Sequence, residues 1–253
     1  MPAWKPSLSS ILSLTWDEYL HALQVRLAAW QVRDATWAKW PVTLDEVRDK
    51  SWVDSLALFR ERCAGVPLLE MDEDAREILI GDYDAGDADD DTRRNTYFFG
   101  NIQAAGRPTA VIRYGEHWPK HVPLLDTART TARGLPRRPT PTMVTAPWTA
   151  IGSLERFGAA SASRLLVAER PDLYLMLNNA SRAGLASITG VSLPVMLQVP
   201  GVERHYRDML EQVYASDWWR EPRPRPLRNA FIWDCRVALL DVFAYDEDWK
   251  KNS

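Results

Sequence analysis

The chain has 253 residues, 46% of them hydrophobic and 26% charged, with 31 basic side chains, 34 acidic ones and a formal net charge of −3. Those proportions exclude wholesale disorder, a coiled-coil rod and a collagen-like fibre. The length allows one large domain or two modest ones, with a core that needs no covalent staples.

Two cysteines, Cys63 and Cys235, stand too far apart in sequence to make a disulfide framework or a metal site. The first residues lack a basic region followed by an apolar one, so no secretory signal is expected. No apolar stretch reaches the ~20 residues of a bilayer span; the best, residues 191–199, is broken by Pro194. A soluble protein of the reducing cytoplasm, without membrane contact, is expected.

The first third reads as helical. Trp16, Tyr19, Leu20, Leu23, Leu27 and Trp30 recur at three- and four-residue intervals, the stripe of an amphipathic helix. Thr15, ahead of Asp17 and Glu18, suits its N-cap, and Thr43 with Glu46 forms a capping box for a further helix. The tryptophans at 4, 16, 30, 37, 40 and 52 fit a core.

Residues 81–91 (GDYDAGDADDD) are acidic. Asp82, Asp84, Gly86 and Asp87 echo part of a calcium-binding loop, but the required glycine at the sixth position and glutamate at the twelfth fail to match, so a solvated loop is expected. A strand-or-turn region with a glycine-rich core follows over 96–113, and proline and threonine dominate 136–147 as a linker. This places a domain boundary between 146 and 147: an N-terminal helical lobe (1–146) with a small irregular or β insert, and a C-terminal lobe (147–253). Within the second lobe the pattern predicts a short helix at 148–154 and a tight turn at Phe157-Gly158. A helix over 159–170 stopped by Pro171 comes next, then helices at 181–189, 203–215 and 229–245.

The near-neutral total hides a polarised chain. Acids crowd residues 72–91, opposed only by Arg76, whereas Arg129, Arg133, Arg137, Arg138, Arg156, Arg164 and Arg170 dominate 129–170. Six more arginines lie between 204 and 228. Arginine is the side chain best shaped for phosphate, so this half suits a nucleic-acid partner; a solvated surface has the same composition.

Residues 154–185 read LERFGAASASRLLVAERPDLYLMLNNASRAGL. The layout is turn, glycine, small-residue helix, proline break, apolar run, Asn-Asn, short helix. It resembles the helix-hairpin-helix core of the DNA glycosylase superfamily, in which an apolar run delivers a catalytic aspartate to the mouth of the base pocket. A wider resemblance covers most of the chain. It is to glycosylase-like bacterial proteins that share the phrases seen here at 99–106, 218–224 and 236–241.

The resemblance implies a mostly α, two-lobed helix-hairpin-helix fold, with double-stranded DNA between the lobes and its target base flipped out. In its register Phe157-Gly158 ends the hairpin and Asn178 takes the place of the aspartate. Glu155 and Arg156 stand where proline and glycine are usual. Gly158 would open a helix whose free N–H groups hold a phosphate, while Arg156, Arg164 and Arg182 contact the DNA backbone. Asn178 would orient a water or the sugar, supported by Asn179. Asn101 and Gln103 would read the base edge, and Tyr97, His117 and Trp118 would form its stacking wall. No lysine falls in the hairpin or its second helix, which points away from strand cutting through a Schiff base and toward a monofunctional enzyme. A neutral amide site suits a bulky polar base, so a sugar-decorated cytosine of viral DNA, and with it an antiviral role, is part of the expectation.

Other chemistry is weaker. His117 and His121 have zinc-compatible spacing, but Pro119 lies between them. Asp241, on an apolar face with Arg236 nearby, suggests a buried ion pair holding the last helix ahead of a catalytic carboxylate. No cofactor and no obligate protein partner is expected. The rival function is a non-catalytic DNA-binding or sensing module in which Asn178 marks lost chemistry. A helical partner-binding protein without DNA is the third reading.

Overall fold

The structure, a computed structural model, describes residues 7–33, 52–81, 84–85, 94–95, 106–114, 118–194, 201–223 and 230–245. Over these residues the protein is mostly α-helical. After a 3-10 turn at Leu8–Ser13, helix α1 covers Trp16–Arg33. Its start is held reciprocally: the Glu18 carboxylate accepts from the Thr15 N–H and hydroxyl, both at 2.9 Å, and the Glu18 N–H donates back to the Thr15 hydroxyl at 3.4 Å. Trp16, Tyr19, Leu20, Leu23 and Leu27 are buried as the stripe predicts. The side chain of Trp30 lies outside the described part, as do Trp4, Trp37, Trp40 and the Thr43–Glu46 pair.

Helix α2 spans Trp52–Arg62 and α3 spans Glu73–Ile80. Asp72 caps α3 by accepting from the Ala75 N–H at 2.7 Å, and Gly81 ends it at φ 86°, a left-handed conformation that glycine reaches without penalty. Strands β1 (Asp84–Ala85) and β2 (Arg94–Asn95) then pair antiparallel, with Asp84 opposite Asn95. The acidic stretch expected to be a loop therefore contributes a short strand.

Where a strand or turn was expected, α4 occupies Gly106–Tyr114. Pro108 falls in its first turn, where an N–H has no helical partner to lose, and Val111 and Ile112 reach the core.

The remaining helices are α5 (Trp118–Arg133), α6 (Pro141–Gly152), α7 (Ala159–Glu169), α8 (Arg182–Thr189), α9 (Glu203–Ala215), α10 (Asp217–Arg220), α11 (Ala230–Asp234) and α12 (Leu240–Ala244). Two expectations change here. The proline-threonine stretch is half helix, because Thr140 caps α6 through the Met143 N–H at 3.4 Å and Pro141 takes its first position. The single last helix is two short ones.

The boundary expected between 146 and 147 falls inside α6, and α1 packs against α10 and α12 from the far end of the chain. The cause is aromatic: Tyr19 stacks on Trp218 at 4.5 Å and Trp16 meets Trp233 edge-on at 4.9 Å. The Tyr19 hydroxyl donates to the Arg236 carbonyl at 2.7 Å, and the Trp218 indole donates to the Ile11 carbonyl at 3.1 Å. One cluster of buried side chains runs from Ile11 to Ala244.

The element that positions the site is not a helix. Residues 173–177 are buried between α7 and α8, leaving a turn at 171–173 and running on with no helix or strand. Their backbone groups need partners in an apolar core, and two tyrosines of α9 supply them. The Tyr214 hydroxyl donates to the Leu173 carbonyl at 2.6 Å. The Tyr206 hydroxyl donates to the Leu175 carbonyl at 3.0 Å and accepts from the Leu175 N–H at 3.1 Å. Tyr206 is itself held flat against Trp148 of α6, with ring centres 4.5 Å apart. Among the described residues no helix is long and apolar enough to cross a membrane.

Candidate functional site

The buried segment leads to Asn178, which is 8% exposed. Its side-chain oxygen accepts from the Ser181 N–H at 2.9 Å, closing the turn into α8. Its amide nitrogen donates to the Asp241 carboxylate at 3.4 Å, and the Ser181 hydroxyl donates to the same carboxylate oxygen. Asp241, on α12, is 1% exposed, and among the described residues its second oxygen has no hydrogen-bond partner.

Burial pushes the Asp241 carboxyl up to about 7, against the opposing pull of the Ser181 and Asn178 hydrogen bonds. The site is thus a carboxyl group poised to change charge near neutrality, with one face held by Ser181 and Asn178 and one oxygen uncommitted. Its geometry depends on the close approach of α8 and α12. A Cβ on Gly184 would lie 2.2 Å from the Ala244 carbonyl oxygen, so only glycine admits this packing.

The expected Asp241–Arg236 pair is not formed. Arg236 turns the other way, donating to the Trp233 carbonyl at 2.7 Å and lying 4.1 Å over the Trp233 ring. Asp241 is the residue that sequence reasoning undervalued. The signal was present, an acid on a wholly apolar helix face, but no spacing rule joins it to Asn178 across 63 positions.

The turn between α6 and α7 is closed by the Phe157 N–H donating to the Leu154 carbonyl at 3.0 Å. Arg156, third of its four residues, has φ 66°, the left-handed region that glycine favours, and its side chain is 72% exposed. Gly158 is the N-cap of α7 and leaves the first N–H groups of that helix uncapped by any side chain. Arg182, first residue of α8, is half-buried and donates to the Pro194 carbonyl at 3.4 Å, and Asn179 is exposed.

Arg164 requires a correction. It is fully buried, donates to the carbonyls of Leu79 at 2.7 Å and Ile78 at 2.9 Å, and lies 4.4 Å over the Phe59 ring. Burial pulls its guanidinium down to about 9. It satisfies the C-terminal carbonyls of α3 from inside the core and has no surface to offer a phosphate. A second interior arginine, Arg129, behaves alike: it pairs with the Glu169 carboxylate at 2.5 Å and donates to the Cys63 carbonyl at 2.7 Å.

Tyr97, Asn101, Gln103 and His117 lie outside the described residues. Trp118 opens α5, and its side chain is likewise outside the described part. Comparison of the chain with protein-family models, with curated proteins and with solved structures finds no match.

Proposed function

We propose that the protein is a DNA glycosylase-like enzyme of the helix-hairpin-helix kind, which flips a damaged or modified base from duplex DNA and hydrolyses its glycosidic bond to leave an abasic site. The observation that carries this reading is the carboxyl of Asp241 beside Asn178. The resemblance calls for an aspartate where the apolar run ends, and the chain has asparagine there. The carboxyl group of Asp241, from α12, lies within hydrogen-bond distance of that asparagine. Such a group stabilises the oxocarbenium-like sugar or orients the attacking water. Its second oxygen, buried and without a hydrogen-bond partner among the described residues, would be the acceptor in either role.

The hairpin supports the reading independently. Arg156 replaces the usual glycine yet adopts a glycine-like backbone, which places its exposed guanidinium at the turn that would face a phosphate. The exposed arginines of the second half, Arg156 and Arg204 among them, fit the same partner. The substrate we propose is a modified base, with a sugar-decorated cytosine of viral DNA and a defence role as the specific form.

One observation favours the non-catalytic DNA-binding reading. Asn178 and Asp241 are 8% and 1% exposed, so their groups already serve to hold α8 and α12 together. Incubating the protein with duplexes carrying a panel of damaged and hypermodified bases, followed by alkali to cut abasic sites, separates the two. Strand breaks at one modified base support the enzyme. DNA binding without breaks at any base supports the module.

A further inference from the structure

A cleft of about 350 Å³ opens where the end of α2, the α5–α6 connection, the end of α7 and α11 meet, within the size range of small-ligand sites. Arg60, Arg137, Arg170 and Arg223 line it, with Asp172 and Asp234. Glu169 also borders it, but its carboxylate is committed to Arg129 and, at 3.1 Å, to the Gly65 N–H.

The charges do not balance. Arg170 grips Asp172 through two parallel bonds of 2.8 and 2.9 Å, and Arg223 pairs with Asp234. Each aspartate is thereby matched. Arg60 lies 5.8 Å over the Phe231 ring, Arg137 stands exposed on its connection, and among the described residues neither has a carboxylate within ion-pair distance. Behind the wall sits Arg236, 4% exposed and likewise without an ion pair, its Nε lacking any hydrogen-bond partner. Its charge is felt together with those of Asp172, Asp234 and Arg137. Five guanidinium groups therefore share two carboxylates around one concavity. A buried cation without a counter-ion is costly, and an anion in the cleft would relieve it. Arg170 is committed to Asp172 and to the Leu135 and Pro136 carbonyls and serves as wall, whereas the Asp234 pair orients Arg223, whose remaining N–H groups join those of Arg60 and Arg137 in suiting a tetrahedral oxyanion.

We propose that this cleft binds a phosphoryl group, carried by a free nucleotide or by a nucleic-acid strand. Its residues are distinct from the Asn178–Asp241 cluster, and the inference stands whether or not that cluster excises bases.

Calorimetric titration of the full chain with inorganic phosphate, pyrophosphate, a nucleoside 5′-monophosphate and a short DNA duplex tests it. The parent is compared with an Arg60→Ala/Arg137→Ala double variant, whose substitutions leave the Arg170 and Arg223 pairs intact, and with Arg204→Ala, which removes an 83%-exposed arginine of α9 elsewhere. Saturable binding of at least one probe is expected, weakened about tenfold or more in the double variant and unchanged in Arg204→Ala. An effect on the free phosphates identifies a small-molecule site, and an effect on the duplex alone identifies a strand contact; both support the cleft. Absence of saturable binding by every probe, or equal affinity in parent and double variant, overturns it. So does an equal loss in Arg204→Ala.

Discussion

The Asn178 amide nitrogen donates to the Asp241 carboxylate at 3.4 Å, joining the end of the buried segment 173–177 to the last helix. Because burial raises the Asp241 carboxyl to about 7, the native state holds a proton there that the unfolded chain has already released above about pH 4. The associated stability is fully present below the unfolded value and is lost as pH rises through 7, by up to about 1.4 kcal/mol per pH unit across that window. Denaturant unfolding from pH 4 to pH 8 should show the parent losing stability faster than Asp241→Asn, which stays neutral throughout. Parallel profiles for the two proteins would contradict the raised carboxyl.

Arg164 gives a test of the interior. Replacing it with alanine strands the Leu79 carbonyl and removes a ring contact, so stability should fall by about 3 kcal/mol or more in equilibrium unfolding. A variant of parental stability that lost only DNA affinity would return Arg164 to the surface role the sequence suggested.

Gly184→Ala places a methyl against the backbone of Ala244, where no side-chain motion can make room. We expect a drop in melting temperature equivalent to at least about 1–3 kcal/mol, the range for overpacking. Ser187→Ala, on the exposed face of the same helix, should be near neutral. Equal behaviour of the two variants would show that α8 and α12 are not in contact as described.

The helical class and the bounds of α7, α8 and α9 were legible in the sequence, because apolar spacing, Pro171 and Gly190 mark them locally. The α6 helix was not, since proline and threonine at its start read equally as linker and as cap. The partnership of α1 with α10 and α12 was hidden for a different reason: tryptophan reports burial but not which aromatic it stacks on. The same limit governs the site. Asn178 was located from the order of the chain, whereas Asp241 becomes its neighbour only once Tyr206 and Tyr214 fix the buried segment before it and Gly184 lets α8 settle on α12. Arg164 was misplaced because a basic residue is assumed exposed unless a buried acceptor is known.

Arg156→Gly separates backbone from side chain. Glycine adopts φ 66° freely, so the variant should gain up to about 1 kcal/mol of stability while losing one phosphate contact. Fluorescence anisotropy against salt should show weaker binding to all DNA sequences and a salt slope reduced by about 1. Unchanged affinity and slope would remove Arg156 from the DNA surface.

The most direct test of the account is base release by Asp241→Asn. On any duplex of the panel from which the parent releases a base, single-turnover rates should fall by about 10²–10³ in the variant, the scale of losing one preorganised polar group, while duplex affinity stays at the parental level. Excision at the parental rate by Asp241→Asn would contradict the central claim, as would a parent protein that releases no base from any duplex in the panel.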